Sequence, residues 1–214
     1  MTTTMQAPGQ ATEKRGFWLR QLRRWHWISS AICLVGMLLF AVTGFTLNHA
    51  GDLPAQLRVT ETRAQLPEAL RAQLAATDTE GEAPLPEAVR DWIRRTMGVR
   101  IAAGTAAEWS ADELHVSLPR PGGDAWLAIE RETGAVTHEL TTRGPVALLN
   151  DLHKGRHAGP VWSLFLDVFA VACLVFCVTG LWLLHLYAGN RPSTWPLVGL
   201  GLVVPLLIVI LFIH

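Results

Sequence analysis

The chain has 214 residues, half of them hydrophobic, with 18 basic and 18 acidic side chains and no net charge. Its apolar residues are gathered in three blocks, which excludes a wholly soluble domain and calls for membrane spans. The three cysteines, Cys33, Cys173 and Cys177, all fall inside those blocks. No disulfide framework is implied, and they read as small packing residues.

In chain order, residues 1–24 form a basic tail, with Lys14, Arg15, Arg20, Arg23 and Arg24 against Glu13. A first transmembrane helix is expected over residues 25–48, because Trp25 to Leu47 carries no formal charge and exceeds the roughly 20 residues that cross a bilayer. Its apolar core is too long for a secretory signal and no small-x-small site follows it, so a retained anchor is expected. Residues 50–146 are too many for a simple connection. Within them Ala64 to Ala75 reads as a helix and Thr77 to Pro86 as a linker. Leu85 to Met97 reads as a better helix, with Pro84 and Pro86 at its start, Val89, Trp92 and Ile93 on one face, and Gly98 at its end. "ELHVSLP" and "AWLAIER" alternate in polarity around "RPGGD", which predicts a hairpin. "ETGAV" then turns the chain into "VTHELTT". A small α+β domain of one helix and at least three antiparallel strands is expected.

Residues 147–160 make a histidine-rich segment at the membrane edge. Residues 161–187 predict a second transmembrane helix, whose one charged side chain is Asp167. Residues 188–196 form a short loop containing Arg191, and residues 197–214 a third span interrupted by Pro205. Residues 50 to 160 carry 12 basic and 16 acidic residues. With the basic tail, this charge asymmetry predicts a cytoplasmic N-terminus and a large loop outside; Lys154 and Arg156 count mildly against it. Trp18, Trp25, Trp27, Trp162, Trp182 and Trp195 lie near the ends of spans, as an aromatic belt requires. The expected fold class is a membrane protein of three transmembrane α-helices, with a small α+β domain inserted between the first and second.

Eight histidines are present. His26 lies at the start of the first span and His49 at its far end. His153 and His157 flank the start of the second span, and His185 lies near its end. His214 is the last residue, while His115 and His138 fall on strands of the inserted domain and read as surface or packing residues. Antiparallel spans pair His26 with His185 by depth, and His49 with His153 or His157. A bis-histidine haem needs two neutral imidazoles from facing elements, so two such sites are expected, one near each leaflet. Spacing leaves the geometry open. His26 to His49 covers about 34 Å of helix, whereas His153 to His185 would cover about 48 Å and His157 to His185 about 42 Å. Either the second helix begins after Gly159–Pro160, with the outer histidines on a turn, or it is strongly tilted. On a continuous helix His153 and His157 would share a face, a spacing that also suits zinc or copper. Asp167 is costly inside a membrane and reads as either a functional group or a partner for Ser29, Ser30, Thr43 or Thr46. "VTGF" at Val42 to Phe45 and "VTGL" at Val178 to Leu181 precede a histidine in each span, which suggests two related arms.

"RRWHWISSAICLVGMLLFAVTGFTLNH" and "LNDLHKGRHAGPVWSLFLDVFAVACLVFCVTGLWLLH" resemble the PepSY-associated transmembrane family. The helix, hairpin and "IERETGAV" of the loop look like a PepSY module, so the resemblance runs from about Leu19 to Leu186. It implies the short three-span branch, in the inner membrane of a Gram-negative bacterium, with the N-terminus cytoplasmic and the PepSY-like loop periplasmic. Several family members are haem-containing reductases of ferric iron, often in siderophores. By resemblance His26, His49, His153 and His185 match the family's histidine positions, and His157 is additional.

The expected function is therefore a b-type haem protein, with one or two haems per chain, passing electrons to periplasmic ferric iron or a ferric siderophore. The inner haem would use His26 and His185; the outer would use His49 with His153 or His157. Arg20, Arg23 and Arg24 are candidates for the inner propionates, and Lys154 and Arg156 for the outer ones. The sequence holds no G-x-G-x-x-G segment, so a quinol or a separate reductase is the expected donor. Membrane lipid and a second copy of the chain are expected partners, and nucleic acid is not. Two rivals remain open at this point: a membrane-anchored PepSY-like module that binds peptides or envelope proteins without redox activity, and a haem or metal sensor.

Overall fold

The structure, a computed structural model, describes residues 8–54, 56–77 and 80–213. His214 lies outside the described residues. The elements in chain order are α1 (Pro8–Asn48), β1 (Arg58–Gln65), α2 (Glu68–Ala75), β2 (Gly81–Pro84), α3 (Glu87–Met97), β3 (Ala106–Trp109), β4 (Glu113–Ser117), β5 (Gly123–Glu130), β6 (Ala135–Thr142), α4 (Pro145–His153), α5 (Gly159–Tyr187) and α6 (Thr194–Phe212). The chain divides into two compact units, residues 1–38 with 165–214, and residues 39–164.

The first unit is helical. α1, α5 and α6 are the three described helices long and apolar enough to cross a membrane. At 19 residues α6 rises about 28 Å, close to the hydrocarbon thickness of a bilayer. It buries no residue, although it is apolar all round. Such a helix would be unstable against water and is at home in lipid. α1 and α5 pack through Gly36, where even a Cβ would collide with the ring of Phe169. Cys33 is fully buried there, in agreement with a packing role. α1 is longer than the expected span. It begins at Pro8, so the basic tail continues the same helix from that point.

The second unit contains a six-stranded antiparallel sheet in the order β1-β6-β5-β4-β3-β2. Alternation drives it: β4 buries Leu114 and Val116, and β5 buries Leu127 and Ile129, with the intervening side chains outward. Leu74 of α2 and Val89 and Ile93 of α3 join the same core. Gly98, in the left-handed conformation, terminates α3 as expected. The hairpin around "RPGGD" and the strand over "VTHELTT" are present. Other expectations are corrected. Ala64 to Ala75 is not one helix, because Pro67 separates the end of β1 from α2. The stretch read as a linker contains β2, and among the described residues the domain has a second helix, α2, beside its six strands. β1 carries no apolar stripe and is exposed along most of its length; its pairing with β6 alone makes it a strand.

α4 is fixed to this sheet. Asp151 is 6% exposed, and its Oδ2 accepts the Gly122 backbone N–H at 2.9 Å and the Arg143 guanidinium at 3.2 Å. Gly122 has φ +73°, and a Cβ there would lie 2.7 Å from the backbone of Leu148. Gly122→Ala should therefore lower stability by about 1–2 kcal/mol for the left-handed backbone alone, with a further loss from displacing α4. Gly51→Ala, in open space, should change little; thermal unfolding of the detergent-solubilised protein compares them.

On β6, partial burial and the nearby Arg120 hold His138 below the ordinary histidine range. The unfolded chain then binds the extra proton more readily. The stabilisation is complete above about pH 6.5 and is lost as pH falls through the folded-state value. His138→Leu should flatten the slope of unfolding midpoint against pH between about 7.5 and 5.5.

Candidate functional site

His26 lies on α1 opposite the "VTG" of α5. Its Nδ1 is 3.0 Å from Thr179 Oγ1, and its ring stacks on Phe176 with centroids 4.9 Å apart and planes 14° apart. Gly180 makes the room: a Cβ there would come within 3.1 Å of His26 Cε1. The Thr179 hydroxyl already points back along its helix, donating to Val175 O at 2.6 Å, with Phe176 O at 3.1 Å. A hydroxyl has one proton to give. With that proton directed to its own helix the oxygen accepts from the imidazole, and on this assignment a neutral His26 carries its proton on Nδ1. Nε2 is left with a free lone pair and no hydrogen bond among the described residues.

The same arrangement occurs on α1, which here supplies the threonine while α4 supplies the histidine. His153, the last residue of α4, brings Nδ1 to 2.6 Å from Thr43 Oγ1 on α1. Its ring lies against Phe40, centroids 4.7 Å apart, and Gly44 lies alongside. The Thr43 hydroxyl donates to Leu39 O at 2.9 Å, with Phe40 O at 3.2 Å. His153 is therefore assigned as the same tautomer, with Nε2 open. Three bonds hold it in place: Thr46 Oγ1 donates to Asn150 Oδ1 at 2.8 Å, Trp162 Nε1 to Leu152 O at 2.9 Å, and Gly122 N–H to Asp151. Each span thus carries F-x-V-T-G (Phe40 to Gly44, Phe176 to Gly180), and each copy receives a histidine from elsewhere in the chain.

The other expected site residues stand apart from these pairs. His49 Nδ1 lies 3.2 Å from Asp52 Oδ2 and its ring packs on Phe45. His185 is exposed and meets Trp195 edge-on at 5.7 Å. Each follows its "VTG" threonine by six residues, so it points about 120° away round the helix. Thr179, which meets His26, and His185 thus stand on different faces of α5, and His49 lies in the turn just past the end of α1, away from the face of Thr43. His157 is exposed, in the turn before α5, with φ +54°. α5 starts at Gly159, so the second helix is not continuous through the histidines; His157 lies in the turn before it, whereas His153 ends α4, and the two do not share a helical face. Among the described residues no group of three or more His, Cys, Asp or Glu gathers to hold a metal ion. Arg20 and Arg24 are exposed and make no ion pair among the described residues, whereas Arg23 bonds the Tyr187 hydroxyl. An apolar cavity of about 580 Å³ lies between Arg15, Trp18 and Trp182. Asp167 is exposed on α5, and the hydroxyls of Ser29 and Thr43 donate to main-chain carbonyls of their own helix.

For a haem, His26 and His153 each fit the part of one axial ligand: a neutral ring, fixed by its Nδ1 partner, with Nε2 available. Two imidazoles facing one another are not built from the described contacts of a single chain.

A sequence profile described as "Putative PepSY_TM-like" matches residues 17–214. The chain belongs to the PepSY_TM-like family. No curated protein and no solved structure matches it. Family membership and the three apolar helices make it a membrane protein with a PepSY-like, sheet-rich domain between the first two spans. The sequence pattern exposed "VTG" but not the phenylalanine three residues before each threonine; comparing the two spans as repeats reveals it.

Thr43→Val and Thr179→Val remove the acceptor and leave an Nδ1–H unsatisfied in an apolar setting. Each should cost about 1–2 kcal/mol of stability, while Thr→Ser at either position should retain most of it; denaturant titration in mild detergent is the check.

Proposed function

We propose that this protein is a b-type haem protein of the bacterial inner membrane that passes electrons across it to ferric iron or a ferric chelate outside. The N-terminus is cytoplasmic and the PepSY-like domain periplasmic. The observation that carries this reading is the repeated histidine–threonine pair, which presents an open Nε2 twice in one chain. A metal-ligating histidine commonly donates its other ring N–H to a fixed acceptor, which sets tautomer and orientation. His26 and His153 are the anchored ligands of the two sites. His185 and His49 supply the second imidazoles from another copy of the chain, since neither shares a face with its partner site within one copy. Bound haem would supply one-electron redox chemistry. Thr179 and Thr43 hold the rings, Gly180 makes room for that of His26, and Phe176 and Phe40 exclude water from one face. Arg20 and Arg24 serve anionic groups at the inner site, and electrons enter from a quinol or a separate reductase.

An absorption spectrum of the purified protein, oxidised and dithionite-reduced, with a haemochrome count per chain, tests this. A sharp b-type α band on reduction is expected. It should fall by about half in His26→Ala and be lost in the His26→Ala/His153→Ala double variant. Thr179→Val should weaken haem retention roughly 10- to 100-fold. A protein that stays colourless when haem is supplied overturns the reading and leaves the spans as an anchor for the inserted domain.

A further inference from the structure

The segment joining α4 to α5 is more closely structured than a connector needs to be. The backbone N–H groups of Lys154, Gly155 and Arg156 donate to the carbonyls of Asn150, Leu152 and Asp151 at 3.1, 3.1 and 2.9 Å. His157 is the one non-glycine residue at positive φ among the described residues. A non-glycine residue held there costs free energy, and such positions cluster where geometry serves a ligand. This turn carries Lys154 and Arg156 to the wall of a cavity of about 250 Å³, which is also lined by Arg143 and Asp151, and by Leu47 and Leu53 on its apolar side.

The charges there do not balance. Three cations face one carboxylate. Asp151 Oδ2 already accepts from Gly122 and Arg143. The side chains of Lys154 and Arg156 have no ion pair among the described residues. Two uncompensated cations beside apolar walls make a site for an anion rather than for a metal ion. The volume is below the roughly 300–1,000 Å³ of pockets that enclose a drug-sized ligand, so a porphyrin is excluded and a small anionic group fits. Leu47 belongs to the last turn of the first apolar helix, and Lys154 and Arg156 lie just before the second. That is the level at which lipid headgroups sit, with apolar wall towards the chains and cations towards the phosphate.

We propose that this cavity is a phosphate-ester binding site, taking the headgroup of an anionic phospholipid on Lys154 and Arg156. Arg156 forms a two-pronged contact with the phosphate oxygens and Lys154 adds a point charge. Asp151 keeps Arg143 in place at the rim. The proposal is independent of haem binding.

The test titrates the full-length protein in neutral detergent with four probes: short-chain phosphatidylglycerol, phosphatidylcholine of equal chain length, glycerol 3-phosphate and inorganic phosphate. Saturable binding of phosphatidylglycerol is expected, weakened at least tenfold in Lys154→Gln/Arg156→Gln and unchanged in Arg95→Gln, a cation on α3 outside the cavity. Lys154 and Arg156 are exposed, so the double variant should keep the wild-type unfolding midpoint; the single variants, each intermediate, cover the case in which it does not. Equally tight, variant-sensitive binding of glycerol 3-phosphate or inorganic phosphate supports the phosphate site and assigns it to a free anion. Equal binding of phosphatidylcholine and phosphatidylglycerol, or binding insensitive to both substitutions, overturns the proposal.

Discussion

An imidazole placed among apolar helices cannot leave its N–H without an acceptor, because water is not there to replace it. In this protein the need is met by a threonine whose own proton is already committed to the preceding turn of its helix. Val175 O and Leu39 O take the hydroxyl hydrogens, and the oxygens of Thr179 and Thr43 are left as pure acceptors. That ordering makes the bond directional. It assigns which ring nitrogen is protonated, which side of the ring is open, and how close the helices must come. Gly180 follows from it, since a Cβ there would come within 3.1 Å of the His26 ring. Net, such a bond contributes about 1 kcal/mol. Its larger effect is to select one orientation of each ring.

The inserted domain contributes to the second of these pairs through rigidity. Its sheet closes a core of alternating side chains from β3, β4 and β5 under α2 and α3. The β4–β5 turn presents the Gly122 N–H to Asp151, and Asn150 and Leu152 of the same helix engage Thr46 and Trp162. His153 therefore sits at the end of a short helix held on three sides. His26 needs no such support, being in the middle of a long helix.

The spans, the long α3, the hairpin around "RPGGD" and the histidine-bearing edges were legible from sequence, because each depends on local pattern. β1 was not. "RVTETRAQ" has no apolar face, and only β6 beside it supplies a reason to be extended. Nor were the true partners of the histidines. Matching residues by depth joins His26 to His185, but depth says nothing of the face on which a side chain stands. A partner 153 residues away in sequence leaves no periodic trace. The repeated "VTG" was visible as a pattern without a meaning until the structure placed an imidazole against each copy. Phe40 and Phe176 looked like any aromatic in an apolar helix.

The exchange of histidines between the two arms also orders the protein's biogenesis. His26 leaves the ribosome early, yet its threonine belongs to a helix synthesised long after the inserted domain. Thr43 similarly waits for a residue 110 positions downstream. Neither half of the chain contains a finished pair, so a nascent chain arrested after its first span has none. Any group held by both of these rings can be loaded only after the second apolar helix has been made and has packed against the first.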